Sequence, residues 1–400
     1  MDLIDKNRPS PAWIRQMRER FPCERAVDAI LTRKLERRAG RPFKQPSLHE
    51  LMQGVKNLLD ARLGGGFELS RPRWLVGGAS KIHVAFELTW DEPLAGRVTR
   101  TMVLRMEPAE STAESSRLRE FQLIKACEGL VPVPKMYWLD EDGSFLPYPA
   151  VICGFNAGVT KPSRAAGEVA GGPGAGFDPA IRPILGAQFV DCLARIHTCD
   201  WLKADLGTLD VPAAGTTQAV EWQLNWWERV WEEDAHEDVP LMRLAMNWLR
   251  EHMPVVEKVS LVHGDYRTGN FLYTEHDNKI SAILDWELGH LGDRHEDIAY
   301  AAVQPFGSFA EDGKTFLVGG FMPREQFYAD YEKASGLPVR EEVVRYYEIL
   351  ITYKLVAIEL ATMYRIAACG KTHHDILMTW LIAVSYPTLA LLRDRLEAAG

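Results

Sequence analysis

Between residues 261 and 299 the chain reads LVHGDYRTGNFLYTEHDNKISAILDWELGHLGDRHEDIA, and three of its side chains have the types and spacing of a phosphoryl-transfer centre. Asp265 and Asn270 stand five apart within His-x-Asp-x-x-x-x-Asn, and Asp285 follows at the end of the apolar run ISAIL. Moving a phosphoryl group from a nucleotide to a hydroxyl needs one carboxylate to orient the acceptor and take its proton. It also needs hard oxygen ligands to hold Mg2+ against the phosphates, and one or two carboxylates suffice. Asn270 and Asp285 supply such ligands, and Asp265 remains for the acceptor. The plain alternative, a polar loop with two unrelated acids, is weakened by the order, the spacing and the strand-like flanks.

Other motifs carry less. GSFAEDGKT at 307–315 has five residues between its glycines where a phosphate-cradling P-loop has four, and it follows a helical stretch rather than a strand. GGPGAG at 171–176 lacks the preceding strand and the following acid of a dinucleotide fingerprint. His373 and His374 are adjacent and cannot face one metal from a regular helix.

The elements that must position these residues are read from periodicity. WIRQMRERF, ERAVDAILTRKLERR and SLHELMQGVKNLLDARL repeat apolar positions at three and four, with Ser47 and Glu50 spaced as a capping box, so 1–66 is predicted to be an N-terminal helical extension. FELSRPRWLVGG, HVAFELTW and RTMVLRME alternate like strands. A helix-like SSRLREFQLIKACEG and two further strand-like runs complete a small antiparallel sheet with one inserted helix over 67–155. Residues 156–400 begin with a Gly/Pro/Ala-rich loop and are then predicted to be mainly helical, broken by SLVHGDYRTGNFLY and ISAILDWE.

HGDYRTGNFL together with ILDWE and GDRHEDIA closely resembles the aminoglycoside phosphotransferase / choline kinase group of small-molecule kinases. The resemblance covers about 67–395 and implies an α+β, two-lobed protein-kinase-like fold, with a small antiparallel-sheet N-lobe and a mainly helical C-lobe. It implies ATP and Mg2+ as cofactors, Asp265 as catalytic base, Asn270 and Asp285 as metal ligands, and His263 and Asp297 as braces of the catalytic loop. Upstream, WLVGGASKIHVAF looks like the glycine loop over the phosphates, with Gly77, Gly78 and Ser80 at its tip. Arg105 stands where such kinases usually present lysine to the α/β-phosphates. This is a departure, since arginine keeps the charge but has a different reach. Glu120 would pair with it, and Val151 to Gly154, including Cys153, would be the hinge that meets adenine through its backbone.

The segment EWQLNWWERVWEEDAHEDVPLMRLAMNWLREHMP further resembles a branch that includes the kinase-like domain joined to some acyl-CoA dehydrogenases, near bacterial kinases of hydroxyacyl-CoA thioesters. Its tryptophans at 222, 226, 227 and 231 form i,i+4 pairs, read either as core packing or as a pocket wall for an apolar acceptor. Its seven acids over 221–238 are read as a solvated face or as a lure for a polycationic aminoglycoside. The expected function is an ATP- and Mg2+-dependent kinase of a small-molecule hydroxyl, on a hydroxyacyl-CoA or other apolar compound. The alternatives are an aminoglycoside O-phosphotransferase and a non-catalytic nucleotide-binding module. A protein kinase fits poorly, because only eleven residues separate Asp285 from Asp297 and no Ala-Pro-Glu follows.

Composition narrows the setting. The 400 residues are 46% hydrophobic and 25% charged, as for a globular protein, and the net charge of −9 argues against nucleic-acid or anionic-membrane partners. Residues 1–45 nevertheless carry twelve Lys/Arg against six Asp/Glu, read as a solvated helix or an interface element through which copies would associate. Six cysteines without a Cys-x-x-Cys pair suit reduced thiols and a cytoplasmic location. MDLIDKNRPSP lacks the apolar core of a secretory signal. The uncharged run Ile376 to Leu392 is 17 residues long, short for a membrane span, and reads as buried helix interrupted at Pro387.

Overall fold

Ser10 accepts a hydrogen bond from the Trp13 amide and Pro11 opens the first turn, so α1 (Pro11–Arg20) starts there. α2 (Arg25–Arg37) follows, and α3 (Leu48–Leu63) begins on a capping box in which Ser47 and Glu50 satisfy each other's backbone amides. α3 stops at Gly64, the first of three successive glycines with positive φ. The computed structural model describes residues 5–75, 81–163 and 176–400.

The next unit is a five-stranded antiparallel sheet of β1 (Glu68–Trp74), β2 (Ile82–Glu92), β3 (Gly96–Met106), β4 (Met136–Asp140) and β5 (Ala150–Gly154), ordered β1-β2-β3-β5-β4. α4 (Arg117–Cys127) is inserted between β3 and β4. Alternation along β2 places Val84, Phe86, Leu88 and Trp90 on one face. They pack with Leu51, Val55, Leu58 and Leu59 of α3, so α3 is built into the core of this lobe.

The second lobe holds α5 (Arg182–Thr198), α6 (Gln218–Asp234), α7 (Pro240–Glu251), β6 (Ser260–Val262), β7 (Phe271–Thr274), β8 (Lys279–Ile283), β9 (His290–Gly292) and α8 (His295–Ala302). It continues through β10 (Ser308–Phe309), β11 (Phe316–Val318), β12 (Met322–Pro323), α9 (Arg324–Ser335) and α10 (Glu341–Val356). A π-helical turn, Ala357–Met363, leads to α11 (Tyr364–Ala368), α12 (Asp375–Ile382) and α13 (Ser385–Ala399). β6 pairs with β9 and β7 with β8; β6, β7 and β8 fall at the two sequence breaks, while β9 lies beyond them. The small β10-β11-β12 meander was not expected, because its strands of two or three residues are too short to show a period.

The N-terminal helices are not a free basic arm. Lys34 Nζ lies 3.2 Å from both Glu233 and Asp234 of α6, and Arg38 reaches Asp234 at 2.5 Å. Arg365 of α11 reaches Asp234 at 3.0 Å and, at 2.5 Å, Glu110 of the first lobe. Burial pushes the Asp234 carboxyl up, but Arg365, Lys34 and Arg38 outweigh it and hold it well below the usual carboxylate range. Arg119 of α4 adds a 2.6 Å pair with Glu24. The extension therefore braces both lobes of its own chain. The acids over 221–238 divide: Glu233 and Asp234 are buried and ion-paired, whereas Glu221, Glu237 and Asp238 are exposed.

The structure decides one open reading and changes one expectation. Trp226, Trp227 and Trp231 are buried in the C-lobe core, which leaves them no open pocket face. The apolar stretch 376–392 is broken at Ala383 and Val384, not at Pro387, which sits in the first turn of α13 where its missing N–H costs nothing. Nor is it buried: Ile376, Leu377, Trp380 and Tyr386 are exposed, and residues 376–399 are long and apolar enough to cross a membrane by length and composition alone.

Candidate active site

The loop after β6 is shaped by its glycine. Gly264 has φ +80, and a Cβ there would fall 2.5 Å from the Leu288 carbonyl oxygen, so no other residue fits between the two turns. Asp297 at the start of α8 accepts from the His263 and Gly264 amides at 2.7 and 2.8 Å. His197 Nε2 donates to the same carboxylate at 3.1 Å, with Tyr331 on its other nitrogen. Burial lowers the His197 pKa, although Asp297 opposes this. The His263 ring accepts from the Asp265 amide at 3.2 Å and meets the Leu284 carbonyl at 2.8 Å. It thus ties the backbone of Asp265 to the residue before Asp285, and Asp297 fixes the loop from below.

Asp265, Asn270 and Asp285 converge. Asn270 donates from Nδ2 to the Asp265 carbonyl at 3.0 Å and to its carboxylate at 2.5 Å. The Leu284 amide donates to the Asn270 carbonyl at 2.7 Å, which clips the end of β8 against the start of β7. Asp285 itself is left-handed, with φ +60 and ψ +54, a conformation that Asp tolerates better than bulky residues.

Arg105 comes from β3, opposite His83 on β2 and Val151 on β5. Its Nη1 donates to Glu120 of α4 at 2.6 Å and its Nη2 to Asp285 at 2.8 Å. The expected Arg105–Glu120 pair is thus present, and the guanidinium also reaches the second carboxylate. Glu120 takes a further contact from Arg117. Burial pushes the Glu120 carboxyl up, but Arg105 and Arg117 outweigh it and hold it low.

Val151 and Cys153, expected to line the adenine hinge, lie within the sheet. β5 is an interior strand, paired on one side with β3 and on the other with β4, so its backbone is engaged in the sheet and both side chains are buried. The chain leaves the sheet only after Gly154, and the backbone edge is displaced to the residues that follow. Gly77, Gly78 and Ser80 lie outside the described residues, as does most of the 171–176 glycine run.

Four residues were missed. Arg267 Nε donates to Asp265 Oδ1 at 2.8 Å while its guanidinium lies over the Phe306 ring. A basic residue two positions after the base was visible in the sequence. Tyr300 of α8 faces the same carboxylate with its hydroxyl; burial first, and then Asp265, push that hydroxyl well above its ordinary pKa. Lys81 Nζ, buried at the foot of β2, reaches Glu287 at 3.1 Å and Ser111 at 2.9 Å. The contacts of Tyr300 and of the Lys81–Glu287 pair arise only from tertiary packing.

The donor chemistry suits Mg2+. One carboxylate and one amide oxygen, all hard oxygen, are what this ion takes when phosphate oxygens complete its shell. Asn270 uses its amide nitrogen on Asp265, which leaves its oxygen for a metal. Among the described residues no group of three or more His, Cys, Asp or Glu is arranged to hold a metal alone.

The phosphotransferase enzyme family model matches residues 92–343. Acyl-CoA dehydrogenase family member 10 of Mus musculus is 29% identical over 255 residues, covering 62% of this chain and 21% of that protein. Acyl-CoA dehydrogenase family member 11 of Homo sapiens is 25% identical over 260 residues, covering 62% and 29%. The chain thus spans less than a third of the length of either relative. A crystal structure from Ralstonia eutropha, described as an aminoglycoside phosphotransferase, aligns with TM-score 0.62 at 23% identity over 89% of this chain and 99% of that one. This likeness establishes the kinase-like fold, and with the family match it shows that the chain belongs to the phosphotransferase enzyme family.

Proposed function

We propose that the protein transfers the terminal phosphoryl group of ATP, as the Mg2+ complex, to a hydroxyl of a small molecule. The observation that carries this is the convergence of Asp265, Asn270 and Asp285 with the Arg105–Glu120 pair at one site. Asp265 takes the acceptor's proton as its oxygen attacks the γ-phosphorus; the new O–P bond forms as the bond to the β-phosphate oxygen breaks, and ADP leaves. Asn270 and Asp285 would hold the metal, which neutralises phosphate charge when bound. The Arg105 fork would turn from Asp285 to the α/β-phosphates. That Arg105 occupies Asp285 is what favours the non-catalytic alternative, and turnover separates the two.

For the acceptor we favour an apolar or CoA-linked hydroxyl compound over an aminoglycoside. Three of the acids that would attract a polycation are engaged within the chain: Glu228 with Arg250, Glu233 and Asp234 with Lys34. Conversely, α12 exposes Leu377 and Trp380, and the segment before it packs on the first lobe, with the Glu110 amide on the Lys371 carbonyl and His373 beside Lys81 and His83. An apolar acceptor would find that face beside the cleft. The reduced cysteines suit an intracellular setting. ATP consumption with a panel of hydroxyacyl-CoAs, free hydroxy acids, amino alcohols, aminoglycosides and phenols tests the proposal. Turnover of an apolar hydroxyl compound with an acceptor KM that changes little with salt is expected. Efficient, strongly salt-dependent phosphorylation of aminoglycosides would reverse the choice of acceptor, and Mg2+-dependent ATP binding without turnover of any class would favour the non-catalytic module.

A further inference from the structure

Each carboxylate around the site already has a cation of the chain on it. Asp285 holds Arg105 at 2.8 Å, Glu287 holds Lys81 at 3.1 Å, and Asp265 holds Arg267 at 2.8 Å. The first two have structural partners that keep them in place: Arg105 is bonded to Glu120 and Lys81 to Ser111. Arg267 is different. Its other contacts are a 3.2 Å bond from Nη1 to the neighbouring Thr268 carbonyl and the Phe306 ring, 4.6 Å from the guanidinium carbon. Its side chain keeps 23% exposure, and Nη2 has no hydrogen bond among the described residues. The loop is cut away beside it: a Cβ at Gly269, where φ is +103, would lie 2.9 Å from Arg267 Nη1. The guanidinium is therefore held between Phe306 and a bare stretch of backbone that only glycine leaves open to it.

Distance defines what it can reach. A hydroxyl that gives its proton to Asp265 must lie about 3 Å from the carboxylate, and it attacks phosphorus from about 3–3.5 Å. The terminal phosphate would then stand about 6 Å from Asp265, within one side-chain rotation of a guanidinium that now touches that carboxylate. A fork with a donor to spare is suited to binding two phosphate oxygens.

We infer that Arg267 binds the terminal phosphate of the nucleotide, leaving Asp265 when a triphosphate arrives and returning to it when the diphosphate remains. This rests on the kinase reading above and adds a residue to it. The exchange frees the base for the acceptor only when there is a phosphoryl group to transfer, and it makes the site discriminate ATP from ADP.

Titration of the full chain with Mg·ADP and with the Mg2+ complex of a non-hydrolysable ATP analogue tests this without any acceptor. The wild type should bind the triphosphate more tightly. Arg267→Ala should weaken the triphosphate roughly 10-fold or more, the worth of a charged hydrogen bond, and shift the diphosphate by less than about twofold. Arg267→Lys should recover part of the loss, because lysine keeps the charge without the fork. Asp265→Asn removes the competitor for the guanidinium, so it should tighten triphosphate binding, and Arg267→Ala in that background should still weaken it. Equal losses for both nucleotides overturn the inference, since a residue that only orders the loop would produce them. So does a loss that vanishes in the Asp265→Asn background, which would mark Arg267 as a neutraliser of Asp265 alone. A wild type that binds both nucleotides equally also overturns it but leaves the kinase reading standing, whereas a wild type that binds neither removes both.

Discussion

Asp265 carries donors from Asn270 and Arg267, and its backbone is held by His263. Such a carboxylate is oriented before any substrate arrives. Asp265→Asn should therefore retain the fold and bind nucleotide at least as tightly as wild type while turnover falls roughly 10²–10⁴-fold, the usual worth of a general base. Near-wild-type turnover at saturating substrates would remove Asp265 from the mechanism. Asp285 permits a sharper comparison because its backbone is left-handed. Asp285→Asn keeps a residue that tolerates this conformation, whereas Asp285→Ala adds strain to the loss of charge. Both should lose Mg2+-dependent nucleotide affinity, measured by titration with and without the metal. Equal Mg·ATP affinity in Asp285→Asn and wild type would refute the ligand assignment. The spacing of Asp265, Asn270 and Asp285 was legible in the sequence because one short loop and one hairpin carry all three. Arg267 stood in the same motif, but nothing local says that its side chain folds back two residues. Tyr300 is 35 positions from Asp265, and only the packing of α8 brings it there.

The elements were legible wherever local chemistry decides them. The capping box at Ser47 and Glu50 starts α3, and alternation along β2 defines its buried face. The interior place of β5 was not legible, because alternation identifies a strand but does not tell an edge from an interior position. The tryptophans of α6 posed a similar ambiguity: i,i+4 spacing is the same for a core stripe and a pocket wall, and the neighbours decide. The π-helical turn was also beyond the sequence, and it carries a consequence for pH. Burial pushes the Glu359 carboxyl up to about 7, against the bond that Thr388 donates at 2.8 Å. A carboxyl whose folded pKa exceeds its unfolded value of 4.5 binds a proton more readily in the folded state. Its contribution to stability is therefore present at low pH and is lost as pH rises between about 4.5 and 7. Glu359→Gln should flatten that part of the stability-pH curve, read from denaturant midpoints at pH 5 and pH 8. An unchanged slope would mean that the carboxyl titrates normally.

Across the whole molecule the buried charges are concentrated where the extension, the first lobe and the second lobe meet. Asp234 holds Lys34, Arg38 and Arg365, and Arg365 continues to Glu110. Removing Asp234 leaves Arg38 buried without a carboxylate and takes one of two acids from Lys34 and from Arg365, a loss of about 3–5 kcal/mol. Asp234→Ala should lower the unfolding free energy by that order, and the loss should appear in all parts of the chain together, because the cluster belongs to no single lobe. A loss confined to the N-terminal helices, seen by hydrogen exchange, would show that the brace is local. This role was hidden from the sequence: a balance of +6 over residues 1–45 looks the same whether it faces water or buried acids.

Gly64, Gly65 and Gly66 all have positive φ, and a side chain added at any of them would meet nothing within 4 Å. They are the sole covalent link between the N-terminal helices and the sheet, yet the two pieces are also joined by the α3 face of the core and by the Asp234 cluster. Cutting the chain there should release nothing. Limited proteolysis at these glycines should yield two fragments that co-elute and separate only in denaturant, and residues 1–65 supplied as a separate polypeptide should complement a chain beginning at residue 66. The protein would then behave as a natural two-part assembly whose halves recognise each other through a buried lock of charge, a property that lends itself to split-reporter construction.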